Sequence, residues 1–288
     1  MKMKHRIQDV IRNRSSVRTY KNKSLRSEDL RQIERMLSGL RKGPMRAAVR
    51  FRLAASKPGD SDTLKGLGTY GMIRRPAGFV VGAAEASRNG LLDFGFLMES
   101  IVLMFADRGV GTCWLGGTLT KSRFAERIGL REGEQIPAVV SFGYPRDRRT
   151  ARERVIRFAA GSEKRKPWSE LFFLQNLNTP WNPERAGVWF QVLEMVRLAP
   201  SASNRQPWRI VYDPQSETFH FYLNHSKAYD PRKAGMADLQ MADMGISMCH
   251  FDLTAEALKQ KGGWTVEDPN LENLPSGIEY VVSWQSVR

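Results

Sequence analysis

The chain has 288 residues, of which 41% are hydrophobic and 10% aromatic, enough apolar material to fold on its own as one large domain or about two ordinary ones. Lys and Arg number 45 against 30 Asp and Glu, a formal net charge of +15 that favours anionic ligands or a polyanionic surface without naming either. Only Cys113 and Cys249 are present, far apart and without CxxC spacing, which excludes a disulfide framework and a zinc finger and points to a reducing cytoplasm.

The N-terminal stretch MKMKHRIQDVIRNR is charged throughout and lacks the apolar centre of a signal peptide. SEDLRQIERMLSGL follows, with Ser27 as N-cap, Glu28 and Asp29 in the first turn, and Leu30, Ile33, Leu37 and Leu40 on one helical face. Two β-like runs come next, AVRFRLAA from Ala48 and GFVVGAA from Gly78. LLDFGFLMESIVLMFADRG reads as a buried helix stopped at Gly109, and PAVVSFGYP as a buried strand. Its most apolar stretch, Ser100 to Ala106, is bounded by acids and too short to span a bilayer, so no membrane is expected. After a basic connector the order repeats. A helix starts at Asn182 with Pro183 in its first position, the strands WRIVY and TFHFYL follow, then a long helical run ending at Gly262 and Gly263, then the strand IEYVVSW. Helix, strand, strand, helix, strand occurring twice implies an internal duplication.

One turn stands out. LAPSASNRQPWRIV, Leu198 to Val211, sets hydroxyls and amides on consecutive positions between a helix and a strand. Its core, Pro200-Ser201-Ala202-Ser203-Asn204-Arg205-Gln206-Pro207-Trp208, resembles the Pro-Ser-x-x-Asn-x-Gln-Pro-Trp segment of the nitroreductase family of FMN-dependent oxidoreductases. RNRSSVRTY at Arg12–Tyr20, GVGTCWLGG at Gly109–Gly117, FGYP at Phe142–Pro145 and KRKPWSEL from Lys164 are similar to further pieces of that family. The wide separation of Arg18 from Pro200 resembles the family's single-chain branch, in which two fused halves imitate a homodimer.

The resemblance implies an α+β, three-layer α/β/α nitroreductase-like fold, internally duplicated as a fused pseudo-dimer. Residues 1–167 would form one half and 168–288 the other, with a single FMN site between them. It places Arg14, Ser15, Ser16 and Arg18 at the phosphate, joined by Arg165 and Lys166 from the connector, because guanidiniums and hydroxyls suit phosphate oxygens. Pro200, Ser201, Ala202 and Asn204 would border the flavin from the other half, and Leu115, Gly116 and Gly117 would let the backbone approach its ring. The implied activity is ping-pong transfer from NAD(P)H, a transient donor, through FMN to a nitroaromatic, quinone or similar small-molecule acceptor, with no side chain as nucleophile or general base. A monomer is expected, with further dimerisation possible.

Each assignment has a plainer competitor: arginines as solvated surface charges, Ser201 and Asn204 as turn caps, Gly116 and Gly117 as a bend, Trp114 and Trp208 as core aromatics. A flavin-binding protein of the same fold with different chemistry, or without NAD(P)H oxidase turnover, is the main functional alternative. A basic nucleic-acid-binding protein ranks below it, because no recognised motif interleaves aromatics with the basic residues. The four histidines lack metal-ligand spacing, and no GxGxxG follows a strand. The segment KGLGTYGMIRRP, Lys65 to Pro76, receives no role.

Overall fold

A computed structural model of the chain describes residues 3–40, 42–55, 73–116, 121–146, 164–226 and 237–287. In chain order its elements are α1 (Ile7–Asn13), α2 (Ser27–Ser38), β1 (Val49–Ala55), β2 (Gly78–Glu85), α3 (Arg88–Ala106), β3 (Gly111–Leu115), α4 (Lys121–Ile128), β4 (Glu134–Gln135), β5 (Val139–Gly143), β6 (Phe172–Leu174), α5 (Trp189–Arg197), β7 (Trp208–Asp213), β8 (Thr218–Asn224), α6 (Leu239–Ala257), β9 (Gly262–Thr265) and β10 (Ile278–Ser286).

The strands form two five-stranded sheets, one from each half of the sequence. The first runs β1-β2-β5-β3 with β4 beside β2, and is antiparallel throughout. β2 is buried at every position but its last, as a strand covered on both faces must be. On one face it packs with α2 and α3 through Ile33, Val80, Phe94, Ile101 and Val140; on the other Phe79, Val81 and Val139 meet Phe124 and Ile128 of α4. That half is therefore α/β/α in section. The second sheet runs β6-β7-β8-β10-β9, with only the β6–β7 pair parallel. Phe219, Phe221 and Trp284 on its inner face pack against Val192 and Val196 of α5 and Met244, Met248 and Phe251 of α6.

The two halves meet at α3 and α6, nineteen-residue helices that pack along one another. Ser87 caps α3 by accepting the Gly90 N–H, and Asp238 caps α6 by accepting those of Gln240 and Met241. The backbones approach so closely that a Cβ on Gly95 would lie 2.0 Å from the Ala242 carbonyl oxygen, and one on Gly245 would lie 2.0 Å from that of Leu92. α3 is long and apolar enough to cross a membrane, but it is buried in this crossing.

Two helix starts differ from expectation. Ser27 is the first helical residue of α2, and the cap position falls on Arg26, whose guanidinium reaches Asp29 instead. Asn182 and Pro183 do open a helical turn, with Asn182 accepting the Glu184 N–H, but it is a single 3-10 turn ending at Arg185. Gly187, at φ 55°, then breaks the run, and α5 starts only at Trp189. Gly262 and Gly263 belong to β9, where the bare Gly262 leaves room for the Trp284 ring.

Candidate functional site

The turn between α5 and β7 contains a single 3-10 turn, Ala202–Asn204, and is braced by side chains. The buried Asp243 of α6 accepts the Ala202 N–H with both carboxylate oxygens, each at 3.0 Å, and Ser201 Oγ accepts the Gln206 N–H at 2.8 Å. Burial drives the Asp243 carboxyl well above its ordinary range, and the single backbone donor offsets this only in part. Ser203, Asn204 and Gln206 have φ of 50°, 54° and 48°. Left-handed backbone costs a non-glycine residue roughly 1–2 kcal/mol, and such strain gathers where a structure over-determines a functional loop.

The braced turn forms the wall of a cavity of about 710 Å³, lined by Lys164, Arg165, Lys166, Asn204, Arg209 and Gln240 among others. The connector and the turn interlock around it. Arg165 donates to Asn204 Oδ1 at 2.8 Å and to the Leu198 carbonyl at 3.2 Å; Asn204 Nδ2 donates to the Lys164 carbonyl at 2.8 Å, and the Lys166 N–H donates to Gln206 Oε1 at 2.9 Å. Burial and the neighbouring Arg209 pull the Lys166 ammonium below its ordinary pKa, with Glu170 3.7 Å away as partial compensation. Gln240 is 3% exposed and its Nε2 has no hydrogen-bond partner among the described residues. Buried donors are normally satisfied. A cationic lining with an orphaned buried amide donor therefore fits a phosphate-bearing group such as that of FMN.

The other predicted residues lie apart from this cavity. Arg14 and Ser15 line a different one of about 390 Å³, with His5, Asp9, Asp107 and Thr112. Ser16 makes a β-bridge with Thr112, and the Arg18 carbonyl accepts the Arg74 N–H. The Arg14 side chain, 7% exposed, points inward with Nε 4.0 Å from Glu99 Oε1. Glu99 also accepts from Trp114 Nε1 at 2.8 Å, and its Oε1 lies 3.0 Å from His250 Nε2. Leu115 is a buried core residue. Gly116 lies against the start of α6, where a Cβ would stand 2.6 Å from a Leu239 methyl, one residue before Gln240. Gly117 lies outside the described residues. The structure thus gathers Arg165, Lys166 and Asn204 at one cavity, leaves Pro200, Ser201 and Ala202 outside its lining, and sets Arg14 and Ser15 at another.

Several residues of this architecture were not singled out from sequence. Gln206 stood inside the quoted motif; Arg209 and Gln240 carried no local signal, and Glu99 and His250 are paired only by the helix crossing. Trp208 is fully buried in the core, and Trp114 is half-buried beneath the sheet. Cys113 and Cys249 are both buried. Among the described residues no group of three or more His, Cys, Asp or Glu could hold a metal ion.

The sequence family described as "Putative TM nitroreductase" matches residues 6–255. The chain belongs to this nitroreductase family. A nitroreductase of Thermotoga maritima, solved by crystallography and also titled putative, superposes with a TM-score of 0.60 at 21% identity, covering 99% of this chain and 95% of that one. It shares the fold over the whole length. An FMN-bound nitroreductase from Bacteroides fragilis covers 51% of this chain and 91% of its own at 18% identity and a TM-score of 0.40. A Clostridium acetobutylicum protein titled a putative NADH oxidase covers 49% and 89% at 23% identity and 0.39. Curated proteins give no match.

Proposed function

We propose that this nitroreductase-family chain is an FMN-dependent oxidoreductase that takes electrons from NAD(P)H and passes them to a small-molecule acceptor such as a nitroaromatic or quinone. The observation that carries the reading is the cavity beside the Pro200–Trp208 turn, with its cationic lining and the unsatisfied amide of the buried Gln240. In this reading Arg165 and Lys166 hold the phosphate, the strained turn from Pro200 to Asn204 sets the edge against which the flavin lies, and Gln240 donates to the ligand. Arg14, 4.0 Å from Glu99, and Ser15 line a separate cavity, and in this reading they supply contacts to the cofactor from the first half together with Ser16 and Arg18. FMN, when bound, supplies the hydride chemistry, and the protein positions it and sets its electrostatic surroundings. The cations would stabilise negative charge on the bound cofactor.

The test is spectroscopic. The purified chain is mixed with FMN, desalted and examined before and after anaerobic NADPH or NADH. A retained flavin band that bleaches is the expected result. A retained band that does not bleach overturns the oxidase reading, and no retained flavin overturns the cofactor. Arg165→Ala and Asn204→Ala should each weaken FMN retention roughly tenfold or more, the worth of a charge-assisted contact.

A further inference from the structure

A second cationic concavity, sharing no lining residue with the turn cavity, has a volume of about 400 Å³ and is lined by Thr19, Arg74, Arg75 and Arg146. Three remote stretches of chain meet there. The Arg74 N–H donates to the Arg18 carbonyl at 2.8 Å, and the Tyr20 N–H donates to the Arg74 carbonyl at 3.0 Å. Tyr20 bridges Pro145, the residue before Arg146, and the Lys21 N–H donates to the Tyr144 carbonyl at 2.9 Å. The fully buried Tyr20 pins this junction through its hydroxyl, 2.9 Å from Ser141 Oγ. The positions from which the three arginines start are therefore fixed by backbone bonds.

Among the described residues no carboxylate compensates their charges. Some arginines elsewhere sit on carboxylates, as Arg26 does on Asp29, Arg50 on Glu134 and Arg197 on Glu194. No ion pair or side-chain hydrogen bond joins Arg74, Arg75 or Arg146 to any described residue, and no acidic residue lines their cavity among those described. Arg75 also holds a left-handed backbone at φ 55°, an uncommon conformation for a long side chain. Like charges brought together around one concavity repel, and an arrangement that keeps them there is suited to an anion. Forked guanidinium donors bind phosphate oxygens in pairs, so three of them around one concavity suit a phosphate-bearing anion.

We infer that the cavity formed by Thr19, Arg74, Arg75 and Arg146 is a second anion site that takes a phosphate-bearing ligand. It supplies a role for the Arg-Arg pair of the 65–76 segment, and it does not depend on FMN occupying the turn cavity. The same chemistry is presented by free pyrophosphate and by the diphosphate of a nucleotide.

Isothermal titration calorimetry of the full chain, with inorganic pyrophosphate and separately with ADP, tests the site at low ionic strength, where such contacts are least screened. The expected result is saturable pyrophosphate binding that weakens tenfold or more in Arg146→Gln and in Arg74→Gln, while Arg165→Gln, at the turn cavity, leaves a pyrophosphate site intact. ADP binding more tightly than pyrophosphate through the same arginines would identify a nucleotide ligand; equal affinity would identify the diphosphate alone. Absence of binding, or binding that Arg146→Gln does not change, overturns the proposal. Arg146 is exposed, so its variant remains informative even if Arg74→Gln disturbs the β-bridge that Arg74 makes with Thr19.

Discussion

The crossing of α3 and α6 shows the same construction twice. At one constant sequence offset Asp93 corresponds to Asp243, Gly95 to Gly245, Glu99 to Cys249 and Ser100 to His250. The two glycines each admit the other helix's backbone. Each aspartate holds a turn of its own half: Asp93 accepts the Met45 and Ala47 N–H groups, and Asp243 accepts that of Ala202. Six residues further along the helices the copies part. One corner holds Ser100 and Cys249, with Oγ and Sγ 3.3 Å apart; the corresponding corner holds Glu99 and His250. The charged corner is the one that Arg14 enters. Packing constraints were kept in both halves, while the polar equipment survives on one side only, as does the Ser- and Asn-bearing turn.

The largest effect should come from the shared feature. Gly95→Ala and Gly245→Ala each place a methyl within 2.0 Å of a carbonyl oxygen on the opposite helix. Helix backbones cannot yield as a flexible side chain can, so each substitution should cost roughly 3 kcal/mol, the upper end for overpacking, read from urea unfolding midpoints. The double variant should cost less than the sum, because the first substitution already spreads the helices. A silent result at either position would break the equivalence of the two copies.

Glu99→Ala and Ser100→Ala probe the corner where the copies differ. Both ring nitrogens of His250 face oxygens, Met195 O at 2.9 Å and Glu99 Oε1 at 3.0 Å, so one proton must lie between His250 and Glu99. Removing the carboxylate strands the histidine, Trp114 Nε1 and Arg14 together. That should cost about 3 kcal/mol, as for breaking a buried polar pair. Ser100→Ala leaves only a buried thiol and should cost about 1 kcal/mol or less.

This contrast also explains what could be read from sequence. Helix α3 was legible because its apolar run has a stop at Gly109, and β2, β7 and β8 because β-branched and aromatic residues cluster there. The duplication was legible from element order, and the family from Pro200–Trp208. β4 and β6, two and three residues long, exist because an adjacent strand pairs with them, and β9 opens on two glycines, which read as a stop. The helix break at Gly187 left no trace in the apolar spacing. At the site, Arg165 and Asn204 were named by motif, whereas Gln240 and Glu99 are placed by tertiary contact across the chain, where local spacing carries no information.

The smallest effects separate the halves by pH. In the first sheet Glu134 sits on Arg50, which also donates to the Ile128 and Gly129 carbonyls, and the pair holds the Glu134 carboxyl down at about 2. An acid with a depressed folded pKa adds stability above its unfolded value, so this contribution should fade as pH falls from about 4.5 to about 2. In the second sheet burial depresses the His220 imidazole, whose Nδ1 lies 2.7 Å from Ser283 Oγ. Its stabilisation is full above 6.5 and is lost as pH falls below that value, because the unfolded chain takes the proton first. Acid titration of stability should thus show an upper step that His220→Asn flattens and a lower one that Glu134→Gln flattens. The Glu134 step should be about 1 kcal/mol, reduced by its partial contact with solvent, and the His220 step has the same sign. If Glu134→Gln also removed the upper step, the two sheets would share one acid response, and the divergence of the halves would stop at the helix crossing.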